Sequence, residues 1–288
     1  SRASLEAALA LRPDMIEAQH NLGLPLLATG CADDALRAFE RALAMNPALL
    51  ETRACVAHAL RELGRLDEAI ARYDEVLAAD PQFADAIINR SYALLMKQDY
   101  AGGWDAYARR FSCGAMAARD FPYPPWQGEP LTGKRILVYA EQGLGDEIMF
   151  ASCLPDLLTR GAHCMIECNK RLAALFRRAF PQAHVHGADK QDPRHWLEEL
   201  NPIDYQIAIG SLPQYFRRAR AEFPQRRAYL AADQRRGAHW RERLETGQAL
   251  RIGIAWRGGA LRSGQLLRSI ALPQWQPLLR SAGATFYA

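Results

Sequence analysis

Pro13, Pro47 and Pro81 stand 34 residues apart, and each closes an apolar run: LALRP, LAMNP, LAADP. A fixed period of that length restricts a chain to an array of like units, each burying one face on its neighbour. Proline lacks an amide hydrogen and clashes with the preceding turn, so it ends one helix and starts the next turn. Aligned on the prolines, Gly30 falls on Gly64, Ala35 on Ala69 and Phe39 on Tyr73, while Ala8, Ala42 and Val76 share a column. Small residues in such columns let paired helices cross closely, and the aromatic fills the groove to the next unit. Asn21-Leu22-Gly23 and Asn89-Arg90-Ser91 occupy one column two periods apart, and the pattern predicts a helix opening at Asn21. Pro25 falls inside a predicted helix and should cost a hydrogen bond and kink it.

This period, with its small, aromatic and proline positions, resembles the tetratricopeptide repeat. The spacing gives a half repeat over 2–11, full repeats over 14–47 and 48–81, and a degenerate one over 82–111. In the last, Gly103 replaces the helix-crossing alanine and Arg110 replaces a small residue, so this end is expected to pack on the next domain. Arrays of this kind hold peptides or partner proteins on a concave face. Docking a partner and bracing a neighbouring domain both remain open for so short an array.

The net charge of +4 hides an asymmetry. Residues 1–111 carry 12 Lys/Arg against 16 Asp/Glu, and residues 112–288 carry 24 against 16. A basic second region suits an anionic ligand, or is simply a solvated surface. No apolar run approaches the roughly 18 residues that span a bilayer. The opening SRASLEAALALRPD reads as the second helix of a pair, not a signal peptide, and so as the inside of a longer protein. Six scattered cysteines form no CxxC pair, which argues against zinc and for a reducing cytoplasm.

Residues 112–133 hold four prolines and three glycines, too many for a long helix. The aromatic stretch Phe121-Pro122-Tyr123-Pro124-Pro125-Trp126 predicts a packed strap. From Lys134 strand-like and helix-like runs alternate: strands at 135–140, 163–168, 183–187 and 205–210, with helices at 147–160 and 170–180. That alternation predicts a parallel sheet covered on both faces, with ligand-binding loops at its carboxyl edge.

Between the first strand and helix lies EQGLGDE. It lacks the Lys-Ser/Thr of a P-loop, and Ile148 stands where a dinucleotide motif needs its third glycine. Gly143 and Gly145 predict a sharp turn and close ligand approach, and Asp146 is either a helix cap or a working carboxylate. The stretch through Gly143, Gly145, Asp146, Leu154 and Pro155 resembles the amino-terminal half of heptosyltransferase-like enzymes of the GT-B class. The resemblance implies an α + α/β chain: a tetratricopeptide-repeat solenoid over 1–111, a linker over 112–133, a Rossmann-like acceptor-side domain over 134–230, and over 231–288 the truncated start of a second, donor-side Rossmann-like domain.

It also implies roles. Asp146 would be the general base, and Gln142, Gly143, Gly145 and Glu147 would bind the acceptor. Arg268, Arg257 and Ser269 would hold the donor diphosphate. Such an enzyme moves a sugar from a nucleotide sugar to a protein or glycan acceptor, with no metal and no cofactor beyond that substrate. With most of the donor half missing, this stretch alone is expected to be inactive. The alternative is a non-catalytic scaffold that docks proteins. A dinucleotide oxidoreductase would use Glu167 at the end of the second strand as its ribose acid. Nucleic acid is disfavoured as a partner, since no binding module is present and the array is acidic.

Overall fold

The computed structural model describes residues 2–189, 195–200, 202–226, 228–244, 250–256 and 269–287. It divides into two compact units, Ser1–Pro81 with Gly237–Ala288, and Gln82–Arg236.

In the first unit, α1 (Arg2–Leu11), α2 (Ile16–Ala28), α3 (Ala32–Met45), α4 (Leu50–Glu62) and α5 (Leu66–Ala79) pack on one another in chain order. The repeat columns are the core. Ala35, Phe39, Ala42, Ala69 and Val76 have no exposed surface and Tyr73 is 1% exposed. Helix α2 crosses α3 so closely that a Cβ on Gly23 would lie 2.3–2.7 Å from the Phe39 ring. Asn21 lies well inside α2 and does not open it, and Asn89 likewise lies within α6 (Ala84–Met96). The column marks a helix crossing instead. Pro25 stays within α2, and its carbonyl accepts from the backbone amide and the hydroxyl of Thr29.

Each first helix of a repeat stops in one way. The amides of Cys31, Arg65 and Asp99 reach back five residues to Leu26, Leu60 and Leu94, each at 2.9 Å. This closure needs a left-handed residue just before the donor. Gly30 (φ 80°) and Gly64 (φ 76°) supply it, and in the last repeat Gln98 (φ 67°) does so without glycine's freedom.

The second unit begins with the last helical pair, α6 and α7 (Tyr100–Ala108), so the cut falls at 81/82, a full repeat before 111. Its sheet contains β1 (Arg135–Tyr139), β2 (His163–Asn169), β3 (His184–Ala188) and β4 (Tyr205–Ala208), all parallel in the order β3-β2-β1-β4. The predicted helix at 147–160 starts earlier and is broken: α8 (Leu144–Phe150), a tight turn, then α9 (Leu154–Leu158) with Pro155 in its first turn. Helix α10 (Ala173–Ala179) precedes β3, and α11 (Pro213–Phe216) follows β4.

Alternate residues of β1 feed two cores. Ile136 and Val138 join Phe150, Leu154, Phe176 and Tyr107 on one face, while Leu137 and Tyr139 meet Phe121, Leu197 and Ile203 on the other. The second face is thus closed by the Pro-rich strap and the short turn His195–Leu200, where the alternation suggested helices. The strap also pairs with the sheet: the Trp126 amide donates to the Gln206 carbonyl and the Gln206 amide to the Pro124 carbonyl, both at 2.9 Å.

As expected, α7 packs on the sheet domain. The Trp104 indole donates to the Arg217 carbonyl at 3.0 Å, and Asp105 takes both arms of Arg218 at 2.7 and 2.8 Å. Toward the carboxyl terminus lie α12 (Gln234–Leu244), then β5 (Leu250–Gly253), α13 (Gln276–Leu279) and β6 (Ala284–Tyr287), with β5 and β6 paired in parallel.

Candidate functional site

The strand order turns back between β1 and β4, and the loop from Ala140 to Gly143 leaves the sheet beside that point. Ligands favour the carboxyl edge there in open parallel sheets. A cavity of about 480 Å³ lies along the same carboxyl edge but on the other side of β1, between the ends of β1, β2 and β3 and the linker residues Ala117 and Arg119. Ala140, Gln142, Glu147, Glu167, Asn169 and Arg119 are among its lining.

Local hydrogen bonding explains how each group is held. Asp146 turns back on its own helix: its Oδ2 accepts from the Gly143 amide at 3.1 Å, capping α8, and Asp146 is not among the cavity lining. Its neighbour Glu147 does line the cavity; it is 3% exposed, and its Oε2 accepts from the Asn169 amide at 2.8 Å. Burial pushes the Glu147 carboxyl up, opposed by the Asn169 bond and reinforced by Glu167 and Asp146. Gln142 donates to the Tyr107 hydroxyl, which fixes its amide. Neither Gly143 (φ −85°) nor Gly145 adopts a left-handed backbone, so the turn does not require them. A Cβ on Gly145 would enter open space.

Two ion pairs, one buried and one partly exposed, frame the cavity, and neither was legible as a pair. Arg110, with no exposed surface, grips both oxygens of Glu141 (3% exposed) at 2.8–3.0 Å. It also donates to the Ser211 hydroxyl at 2.7 Å, while Glu141 accepts from the Gly210 amide at 3.1 Å. The only signal in the sequence was an arginine in a small-residue column. Arg119, from the strap, takes both oxygens of Glu167 and donates to the Ala140 carbonyl at 3.2 Å. Glu167 does stand where a ribose acid would, but its oxygens are already engaged.

Of the donor-side residues, Arg257 and Arg268 lie outside the described residues. The Ser269 hydroxyl is buried without a hydrogen-bond partner among the described residues. Cys153, Cys164 and Cys168 are free and buried, their thiols pushed up by desolvation to about 11, 12 and 12. Among the described residues no group of His, Cys, Asp or Glu is placed to hold a metal. No described helix is long and apolar enough to cross a membrane.

The repeats carry a second opening, about 430 Å³, between the start of α2 and the start of α4. Ile16, Leu49 and Leu50 give it an apolar floor, Glu17 and Glu51 lie at its margin, and His20 Nδ1 meets Thr52 Oγ1 at 3.0 Å.

Comparison with known proteins agrees with the repeats. Residues 26–95 match the family described as Tetratricopeptide repeat. Protein FlbA of Caulobacter vibrioides is 35% identical over 218 residues, which is 71% of this chain and 36% of FlbA. The chain therefore spans about a third of that relative's length. A match of 218 residues also exceeds the repeat region and extends into the sheet unit. Among solved structures, MamA from Desulfovibrio magneticus RS-1 is 18% identical, covering 40% of this chain and 64% of MamA at a TM-score of 0.37. A tetratricopeptide repeat protein from Parabacteroides merdae is 21% identical, covering 40% and 46% at 0.35.

Proposed function

We propose that the chain is a protein-interaction scaffold whose repeats dock a short segment of a partner. The observation that carries this reading is the 34-residue array, matched to the tetratricopeptide repeat and opening between α2 and α4 on an apolar floor with two carboxylates beside it. The segment that suits it presents an apolar side chain to Ile16 and Leu49 and a basic one to Glu17 or Glu51. Peptides selected from a random display library on the purified chain should share that pattern. Ile16→Asp and Leu49→Asp should each weaken the selected peptide at least tenfold, since burying one aliphatic side chain is worth about 1.5–3 kcal/mol. Unchanged affinity in both variants, with helicity retained, rejects this site.

A second reading is favoured by the cavity at the carboxyl edge of the parallel sheet. In it the sheet unit is the acceptor half of a GT-B glycosyltransferase, moving a sugar from a nucleotide sugar to a protein or glycan in the cytoplasm. It needs no metal or cofactor, and Arg257, Arg268 and Ser269 hold the donor diphosphate. Of the two adjacent carboxylates, Glu147 suits the base better than Asp146. Its raised carboxyl faces the cavity, whereas Asp146 is engaged as a helix cap. Transfer from a panel of nucleotide sugars, compared in Glu147→Gln and Asp146→Asn, separates the two. Loss only in Asp146→Asn returns the role to the cap residue, and loss only in Glu147→Gln is the outcome expected here.

A further inference from the structure

Four carboxylates line the cavity at the sheet edge, and three of them have a basic partner. Glu141 is held by Arg110, Glu167 by Arg119 and Asp189 by Lys170, the last at 3.1 Å. Glu147 is the fourth. It is 3% exposed and lines the cavity, its Oε2 accepts from the Asn169 amide, and its Oε1 receives no hydrogen bond from the described residues. No Lys, Arg or His forms an ion pair with it among the described residues. A buried carboxylate without a counter-charge is costly to maintain, and a cation brought by a ligand removes that cost.

We propose that this cavity binds a small ligand through a protonated amine placed on Glu147 Oε1. Anionic ligands are poorly suited. Among the described residues the one basic side chain in the lining, Arg119, is committed to Glu167, and the nearest helix start carries Asp146 and Glu147 in its first turn. Around the amine, the Gln142 amide and the Asn169 side chain offer hydrogen-bonding groups to a polyhydroxylated body. The cavity lies within the range of roughly 300–1,000 Å³ usual for small-molecule sites. Burial and Glu167 push the Glu147 carboxyl up, so the unliganded site disfavours its charge, and an ammonium beside it would offset that penalty. Binding at Glu147 rests on neither the docking nor the transfer reading, since it requires no peptide and no donor.

Calorimetric titration of the chain with glucosamine, glucose and glucose 6-phosphate tests the charge preference, because the three share a ring. Glucosamine should bind at least tenfold more tightly than glucose, and the phosphate should not bind. Glu147→Gln keeps the shape and the Asn169 bond, so it should bring glucosamine down to the glucose level while the variant still unfolds cooperatively. Glu147→Asp, with the charge drawn back by one methylene, should retain part of the preference. Equal binding of glucosamine and glucose, preference for the phosphate, an undiminished preference in Glu147→Gln, or no binding at all would each overturn the proposal.

Discussion

Replacing Arg110 by Met should destabilise the sheet unit more than most single changes in this chain. The substitution keeps much of the aliphatic volume packed against Tyr107 and Phe111, whose rings lie 4.5 and 4.2 Å from the guanidinium carbon. It removes the three charged contacts to Glu141 and the bond to Ser211, leaving a carboxylate 3% exposed with only the Gly210 amide at 3.1 Å. Stranding one partner of a buried pair costs about 3–5 kcal/mol. For a unit of 155 residues that corresponds to a fall in Tm of roughly 10–15 °C, at about 2.1 cal/mol/K of unfolding entropy per residue. Urea unfolding followed by tryptophan fluorescence measures the loss, and hydrogen exchange in peptides spanning β1 assigns it to this unit. The double variant Arg110→Met/Glu141→Gln removes the stranded charge but keeps an acceptor for Gly210, so it should recover at least half. A cost below about 1 kcal/mol for Arg110→Met, or no recovery in the double variant, refutes the reasoning.

Three further outcomes are expected. Gly23→Val should cost about 2–3 kcal/mol in thermal unfolding of the repeats, because the added atoms meet the Phe39 ring, which has no room to turn away. Gln98→Gly should raise stability by about 1 kcal/mol by relieving a left-handed residue where two earlier repeats use glycine; a loss in chemical denaturation would show that the glutamine side chain offsets its own strain. Glu147→Gln should show a pH-dependent gain. A carboxyl raised in the folded state supports folding below its unfolded pKa and opposes it as pH rises through the folded one, so the variant's advantage should grow from mildly acidic to neutral pH and vanish in acid.

The helical array was legible because its signal repeats. A proline, a glycine and an aromatic every 34 residues report on steric demands that recur at each helix crossing. The strands of the sheet were legible from apolar runs bounded by turn residues, and their parallel order followed from the alternation with helices. What escaped was long-range pairing. Nothing local tells Arg119 that its partner is Glu167, or Arg110 that its partner is Glu141, because each pair is brought together by the fold and not by spacing. The loop at the carboxyl edge was legible, but not which of its carboxylates faces the cavity. EQGLGDE marks the loop, but adjacent helix positions point about 100° apart, so whether Asp146 or Glu147 enters the cavity depends on the turn at which α8 begins. The glycines suggested a sharp turn that only they could make, yet neither has a left-handed backbone, and a Cβ on Gly145 would meet only open space.

The hydrogen bonds between Pro124–Trp126 and Gln206 have a consequence for how this molecule meets others of its kind. They seal the β4 margin, so among the described strands any extra strand, whether from a graft or a neighbouring molecule, must add beside β3. Cutting out residues 122–126 would bare the main-chain groups of β4 and offer a docking rim to passing chains. A shortened form, which also gives up the buried Trp126, should therefore lose solubility together with stability.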